Sequence, residues 1–376
     1  MSRRQAARHG SFGLPPVVIA IAAAISLPLP AQPAATPGQA EGAFAITLDA
    51  GASQQGSRLK IQGTWPNACV PAFANASLSG KELTITARST LSLCEVKATP
   101  LLLSIDPALA LGIAALPGGI YHVWFRAAEG AQAAPKLRAF AVLNANADSR
   151  SAIVPETGFW WPVNGAGSVS RQVLSLEIQG MQLSAALLGY GADGRSNWQF
   201  GTSVFDGRVA HVPLLQLAGT EARAGETPGR RGEAGLVLDI EFQSNSHATA
   251  WLGSTQDSAF EVRAIDIVRL PFADVSDGAA WQGEWILIAD DDSAPQRLRL
   301  RASAAAADNR FVLGDSHSGI TVDCLYDPEN SDLPAQNCTI VQRDGKVSAR
   351  LDDIAMSRMD GRRADGVAVH LLRVAP

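Results

Sequence analysis

Gly158-Phe159-Trp160-Trp161-Pro162 sets three large aromatics in a row, in a chain with only 8 Trp and 12 Phe. Aromatic faces are where a sugar ring or a hydrophobe stacks. Alternation along a strand sends Phe159 and Trp161 to one side and Trp160 to the other. Two uses follow. Trp160 and Trp161, with Tyr190 and Trp198, form a ligand-binding face, or Trp160 closes the bottom of a barrel while the others cover a sheet edge. A second stretch, Gly314-Asp315-Ser316-His317, has the residue types for acyl transfer. Ser316 would be the nucleophile and His317 or His370 its base. Such an enzyme also needs an oriented base and an oxyanion hole.

Other chemistries find less support. Asp290-Asp291-Asp292-Ser293, and the set Asp323, Asp327, Glu329 and Asp332, are oxygen-rich, but neither has the D-x-D-x-D-G spacing of a calcium loop. The six His (9, 122, 211, 247, 317 and 370) are scattered, without H-E-x-x-H. There is no G-x-S-x-G, Walker loop or dinucleotide fingerprint. No metal and no cofactor is therefore expected. The four Cys allow three pairings. Local pairing, Cys69 with Cys94 and Cys324 with Cys338, is the simplest. A four-thiolate zinc site is the alternative, and the lack of any CxxC counts against it.

The bulk of the chain sets the frame for these groups. By length alone its 376 residues fit two or three domains, and 47% hydrophobic content supplies their cores. Arg3, Arg4 and Arg8 precede an apolar run from Val17 to Leu27, then Leu29-Pro30-Ala31. That order is an export signal over residues 1–31. Its apolar run falls short of the ~20 residues a spanning helix needs, a retained anchor being the alternative. Residues 32–42 read as a disordered leader. Removing Arg3, Arg4 and Arg8 takes the 31 basic residues to 28 against 36 acidic. A Lys-poor, acidic chain is a poor fit to nucleic acid or an anionic membrane. Export also makes disulfides the expected state of the cysteines.

Strand signals dominate from residue 43. Arg58–Trp65, Lys81–Ala87, Pro100–Ile105, Gly119–Arg126 and Leu137–Leu143 read as short strands of an immunoglobulin-like β-sandwich over 43–145. Pro107–Ala115 is the one helix candidate, and Asn144–Ser151 reads as a linker. A second β-rich region, 155–376, is punctuated by Asp-Gly pairs at 193, 206, 277, 344, 360 and 365, which suit tight hairpin turns. Gln179-Gly180 sits similarly. Thr220–Glu233 reads as a mobile loop. The expectation is a barrel-like antiparallel β-meander with an appended sheet, in one body or in two subdomains, 155–270 and 280–376. Trp281-Gln282-Gly283-Glu284-Trp285 opens a further strand.

Gly158-Phe159-Trp160-Trp161-Pro162, Gly165-Ala166-Gly167, Leu176-Glu177-Ile178-Gln179-Gly180, Tyr190-Gly191-Ala192-Asp193-Gly194 and Asn197-Trp198 together resemble a repeat family of exported proteobacterial proteins. Its pattern runs G-[FY]-W-W-N-P, S-G-x-G, Q-G-N, Y-x-x-x-G, then a Trp. Gly63–Cys69 and Leu116–Tyr121 resemble the N-terminal disulfide β-module found with it. The resemblance implies a β fold and export, and no activity. Pro162 stands where the pattern has Asn, Val163 where it has Pro, Asn164 where it has Ser, and Met181 where it has Asn. Val312–Ser318 resembles the G-D-S block of SGNH-type lipases and esterases. There a D-x-x-H follows more than a hundred residues later, whereas here 60 residues follow Ser316, and Asp365 and His370 are five apart.

The sequence therefore points to an all-β, disulfide-bonded, periplasmic or extracellular binding protein without catalysis. Its ligand is a small molecule, a glycan or a protein. A Ser316 hydrolase and a purely structural surface protein are the alternatives.

Overall fold

The computed structural model describes residues 44–49 and 58–375, apart from 92, 131, 146–152, 164–171, 191–193, 195, 219–229, 255–260, 272–274, 304–308 and 329–333. The export segment and leader, most of the Asn144–Ser151 linker, the Gly165-Ala166-Gly167 turn, Asp193 and most of the Thr220–Glu233 stretch lie outside them; the end of that stretch, from Arg230 on, belongs to a strand rather than a loop. The protein is all-β.

Seven strands come first. These are β1 (Phe44–Asp49), β2 (Arg58–Trp65), β3 (Ala72–Ser79), β4 (Glu82–Arg88), β5 (Thr99–Ile105), β6 (Ile120–Ala128) and β7 (Lys136–Asn144). They form a three-stranded sheet, β1-β2-β5, and a four-stranded sheet, β3-β4-β6-β7. The period-2 alternation of β2 and β4 buries Leu59, Ile61, Trp65, Leu83 and Ile85 between the sheets, against Val123 and Phe125 of β6. Three strands on four is the layering of an immunoglobulin-like sandwich, with one departure from antiparallel pairing, since β4 and β6 run parallel. The helix is shorter than expected. It spans Pro107–Leu111, starts on the Asp106 carboxylate and ends at Gly112, whose φ of 68° is a left-handed cap.

The next eight strands are β8 (Gly158–Pro162), β9 (Gln172–Gln179), β10 (Gln182–Tyr190), β11 (Ser196–Val204), β12 (Val209–Ala218), β13 (Arg230–Phe242), β14 (His247–Ser254) and β15 (Val262–Arg269). They pair in chain order and close where β15 meets β8. In place of an appended sheet, a second closed barrel follows. It is built from β16 (Gly283–Ala289), β17 (Gln296–Ala302), β18 (Arg310–Gly314), β19 (Thr321–Leu325), β20 (Asn337–Val341), β21 (Val347–Ile354), β22 (Arg358–Arg362) and β23 (Ala368–Ala375). Eight strands leave an interior that side chains just fill. Trp160, Leu176, Leu183, Val212, Leu238 and Ile240 fill the first, and Trp285, Leu298, Leu313, Ile340, Leu351 and Leu371 the second.

Most Asp-Gly expectations fall on turns. Asp206 accepts hydrogen bonds from the Arg208 and Val209 N–H groups, and Asp344 from Lys346. Asp277-Gly278 leads into a 3-10 turn, Ala279–Trp281, rather than a hairpin. Asp360-Gly361 is no turn at all but lies inside β22. There a Cβ on Gly361 would sit 1.9 Å from the Arg350 carbonyl oxygen, so the glycine serves a close backbone approach.

Candidate functional site

Both barrels are closed at one end by the same device. Gly158 and Gly283 open the first strand of each, with φ of 123° and 141°. Two residues on, Trp160 and Trp285 point inward and are fully buried. Each indole N–H donates to a carbonyl four residues earlier, Trp160 to Glu156 at 3.1 Å and Trp285 to Trp281 at 2.9 Å. Opposite each Trp, on the last strand of its barrel, stands an arginine, Arg269 or Arg373. Arg269 donates to the Thr157 carbonyl and Arg373 to the Gln282 carbonyl, in each case the residue before the glycine. A Cβ on Gly158 would meet the Arg269 guanidinium at 2.5 Å. The G-x-W spacing was visible in both Gly158–Trp160 and Gly283–Trp285. The arginines carried no local signal, because their role depends on barrel closure.

The sequence-predicted aromatic face therefore divides at the barrel wall. Trp160 is on the floor inside, edge-on to Phe242 at 5.6 Å, and leaves the proposed surface. The physical reason is the strand's own alternation, which puts it on the opposite side from Trp161. Trp161, Tyr190 and Trp198 are all outside, with 41%, 61% and 57% of their surface exposed. The ladder puts Trp198 opposite Leu188, Leu188 opposite Val173, and Tyr190 opposite Ser196. Trp161 follows Trp160, which pairs with Leu174, the residue after Val173. Trp161, Val173, Leu188 and Trp198 thus form one row around the outer wall from β8 to β11, roughly 14 Å long at the usual strand spacing. Tyr190 lies diagonally beside Trp198, and Phe200, also exposed, lies two residues further on the same face. Sequence reading missed Phe200, Leu188 and Val173. Alternation in β10 and β11 was the signal that would have found them.

Inside the first barrel, Gln199 and Asn197 project between the outward aromatics of β11. Gln199 faces Leu187 across the ladder, and its side-chain oxygen, like that of Asn197, is buried with no hydrogen-bond partner among the described residues. Above Trp160 a small cavity of about 30 Å³ is lined by Leu174, Leu187, Leu238 and Ile265. That lining is apolar and includes neither amide.

Several of the other predicted residues gather at the open end of the second barrel, whereas Asp323 pairs with Arg310 between β18 and β19, Asp327 follows β19 at the other end, and Glu329 and Asp332 lie outside the described residues. Asp290 to Ser293, the Gly314–Ile320 turn, the Asp344-Gly345 turn and the Asp365-Gly366 turn are its four rim loops. Asp315 is buried and organises its own turn, accepting the N–H and O–H of Ser318 and the N–H of Arg299. Burial alone would raise its pKa, but these hydrogen bonds outweigh burial and hold it below the ordinary value. Ser316 and His317 are exposed, and among the described residues no hydrogen bond links Ser316 to either His. The His370 ring is taken up by Asp360 at 2.5 Å and Asp290 at 3.4 Å. Among the described residues no three His, Cys, Asp or Glu side chains come together as metal ligands would. Cys69 is bonded to Cys94 and Cys324 to Cys338, with Cα atoms 5.4 Å and 4.0 Å apart. The second pair faces itself across β19 and β20, inside the barrel core.

Two polar junctions that the sequence did not announce hold the parts together. Between sandwich and first barrel, Glu241 accepts from Lys81 at 2.8 Å and meets His122 at 2.9 Å, and His122 also meets Glu82. Trp251 packs there against His122 and Phe140, which covers the outer wall over β12–β14. Burial alone would lower the His122 pKa, but the hydrogen bonds and charges of Glu241 and Glu82 leave it raised. Glu241 is lowered, its bonds to His122 and Lys81 outweighing burial. Between the two barrels, the closed ends meet. Glu156 accepts the N–H of Met356 at 2.8 Å and both the N–H and O–H of Ser357. Asn245 donates to Asp353 and Asp360.

No protein-family model, no curated protein and no solved structure matches the chain.

Proposed function

We propose that this is an exported, non-enzymatic binding protein. Its site is the outer aromatic face of the first barrel, formed by Trp161, Tyr190, Trp198 and Phe200. The ligand is a glycan or another molecule with an apolar face. One observation carries the reading. The two barrels share strand number, closure and floor, yet the exposed large hydrophobics of the second among the described residues are only Val347 and Val374. The aromatic row is therefore not a demand of the architecture, and exposed aromatic rows of this size are binding surfaces more often than ornaments of a wall. Burial in aromatic contacts also explains how an acidic protein without a basic patch would hold a ligand.

Two disulfides support an oxidising compartment. The basic, apolar, small-residue order of residues 1–31 supports export to the periplasm or beyond. The Ser316 hydrolase lacks a base within hydrogen-bonding reach among the described residues, so the binding reading is preferred. The test is a tryptophan-fluorescence titration against a panel of oligosaccharides and aliphatic ligands. At least one member should shift the emission of the wild type and not of the Trp161→Ala/Trp198→Ala variant. A panel without any response, or a response unchanged in that variant, overturns the proposal.

A further inference from the structure

The open end of the second barrel holds a cavity of about 210 Å³, against about 30 Å³ in the first. Both are closed eight-stranded barrels, and among the described residues their linings differ. Above its floor the first barrel is filled by Leu187, Leu238, Leu252 and Ile265. The second has Ala289, Ala294, Ala349 and Val369 there, and the space they leave is not reclaimed by larger neighbours. Leu287 and Ile340 form the lower wall. An apolar cavity of about 150 Å³ already takes up benzene, and the mouths of β-barrels are a preferred place for small-molecule sites.

The rim is tied rather than loose. Arg363 meets Asp291 at 2.8 Å and Asp365 at 2.8 Å, joining two rim loops. Arg343 donates to the His317 carbonyl at 3.0 Å, joining the other two. A preformed mouth lowers the entropy a ligand must surrender. These ties also decide what fits. The one cation in the lining, Arg363, already faces two carboxylates, and Asp290 and Asp292 stand on the same loop as Asp291. An anion would meet excess negative charge. The Ser348 hydroxyl is engaged with the Ile340 carbonyl, whereas Gln296 and Gln342 bring amides to the edge.

We infer that the mouth of the second barrel is a binding site for a compact, uncharged, single-ring molecule, with its apolar body between Leu287, Ile340 and Val369 and one hydrogen-bonding edge toward Gln296 and Gln342. This site is separate from the aromatic face of the first barrel and stands or falls independently of it.

Benzyl alcohol and benzoate are probes of matched size and different charge. Methyl NMR of the purified protein, read at Ala289, Ala349 and Val369, locates either one. Benzyl alcohol should give saturable shifts at these methyls, with benzoate at least about tenfold weaker at neutral pH. Ala289→Phe, which fills the cavity from its half-exposed rim, should weaken benzyl alcohol at least about tenfold while leaving circular dichroism and melting unchanged. Ala349→Leu is the second filler should the first not fold. No saturable shift at these methyls, an undiminished affinity in a folded filler variant, or benzoate binding as tightly as the alcohol would overturn the inference.

Discussion

Replacing Glu156 should loosen the two barrels more than any surface carboxylate would. Its side chain is nearly buried and accepts three hydrogen bonds from the loop between β21 and β22. A hydrogen bond to a charged acceptor contributes about 1.5–3 kcal/mol. Ser357 is exposed, so water replaces much of what its two groups lose. Met356 is half-buried, and its N–H would be left without an acceptor. Together these place Glu156→Ala at about 3 kcal/mol destabilising. Glu156→Gln keeps one acceptor oxygen and the shape, and should lose about half as much. The backbone of Glu156 holds Trp160 through its carbonyl and Asn245 through its N–H, and neither substitution touches these. Guanidinium unfolding, followed by the emission of the buried Trp160, Trp281 and Trp285 beside the junction, reads the change. A loss below about 0.5 kcal/mol for the Ala variant would refute the reasoning, since it would mean that the three bonds add nothing to barrel docking.

Other outcomes follow from the same geometry. Trp160→Phe and Trp285→Phe each remove one indole hydrogen bond and part of a floor, and should cost about 2–3 kcal/mol each by chemical denaturation; a large difference between them would show that the two floors are not equivalent. The docking of sandwich on barrel should be strongest in mildly acidic solution. The raised His122 contributes fully below its ordinary value of 6.5 and loses its contribution as pH rises through its folded value. The lowered Glu241 contributes fully above its ordinary value of 4.5 and loses it as pH falls through its folded value. Hydrogen exchange at Val142, which donates to Asp239 in that junction, should therefore be slowest between about 4.5 and 6.5 after correction for intrinsic rates. His211, which pairs with Asp239 and is also raised, adds to the upper limb, so His122→Gln should reduce that limb and His122→Gln/His211→Gln should flatten it, and protection that instead grows from pH 6 to 8 would contradict it. Replacing Cys324 and Cys338 together with Ala should cost about 3 kcal/mol, the value for closing a loop of this length, measured as a shift in the unfolding midpoint.

What could be read from the sequence was local. β2 and β4 alternate strictly, so their inward residues were evident. β3, Ala-Phe-Ala-Asn-Ala-Ser-Leu-Ser, is an edge strand with little to bury, and its small residues gave no pattern to follow. Most hairpin turns were marked by Asp-Gly, but the same pair at 360–361 marks a close backbone approach that only the neighbouring strand reveals. Barrel closure was not legible, because β8 and β15 meet across about a hundred residues and neither strand names its partner. For the same reason nothing local marks Arg269 or Arg373. For Trp160 the sequence offers two places, a binding face or the bottom of a barrel, and alternation against Trp161 puts it on the barrel floor. Trp161, Tyr190 and Trp198 were recognised as aromatics of interest, while the row they make with Val173 and Leu188 needed the register of four strands. The carboxylates at both junctions carry no motif, since each is defined by a partner more than a hundred residues away.

The most direct measurement uses the unequal exposure of the tryptophans. Trp65, Trp160, Trp281 and Trp285 are fully buried and Trp251 nearly so, whereas Trp161 and Trp198 are open to solvent. Trp124, the eighth, is half-buried against Phe140, so acrylamide should quench mainly Trp161 and Trp198, with Trp124 a weaker contribution that Trp124→Phe removes. Saturation with a ligand that binds without shifting the Ala289, Ala349 and Val369 methyls of the second barrel should protect both from the quencher. If such a ligand binds and their quenching is unchanged, the aromatic wall of the first barrel is not the binding face.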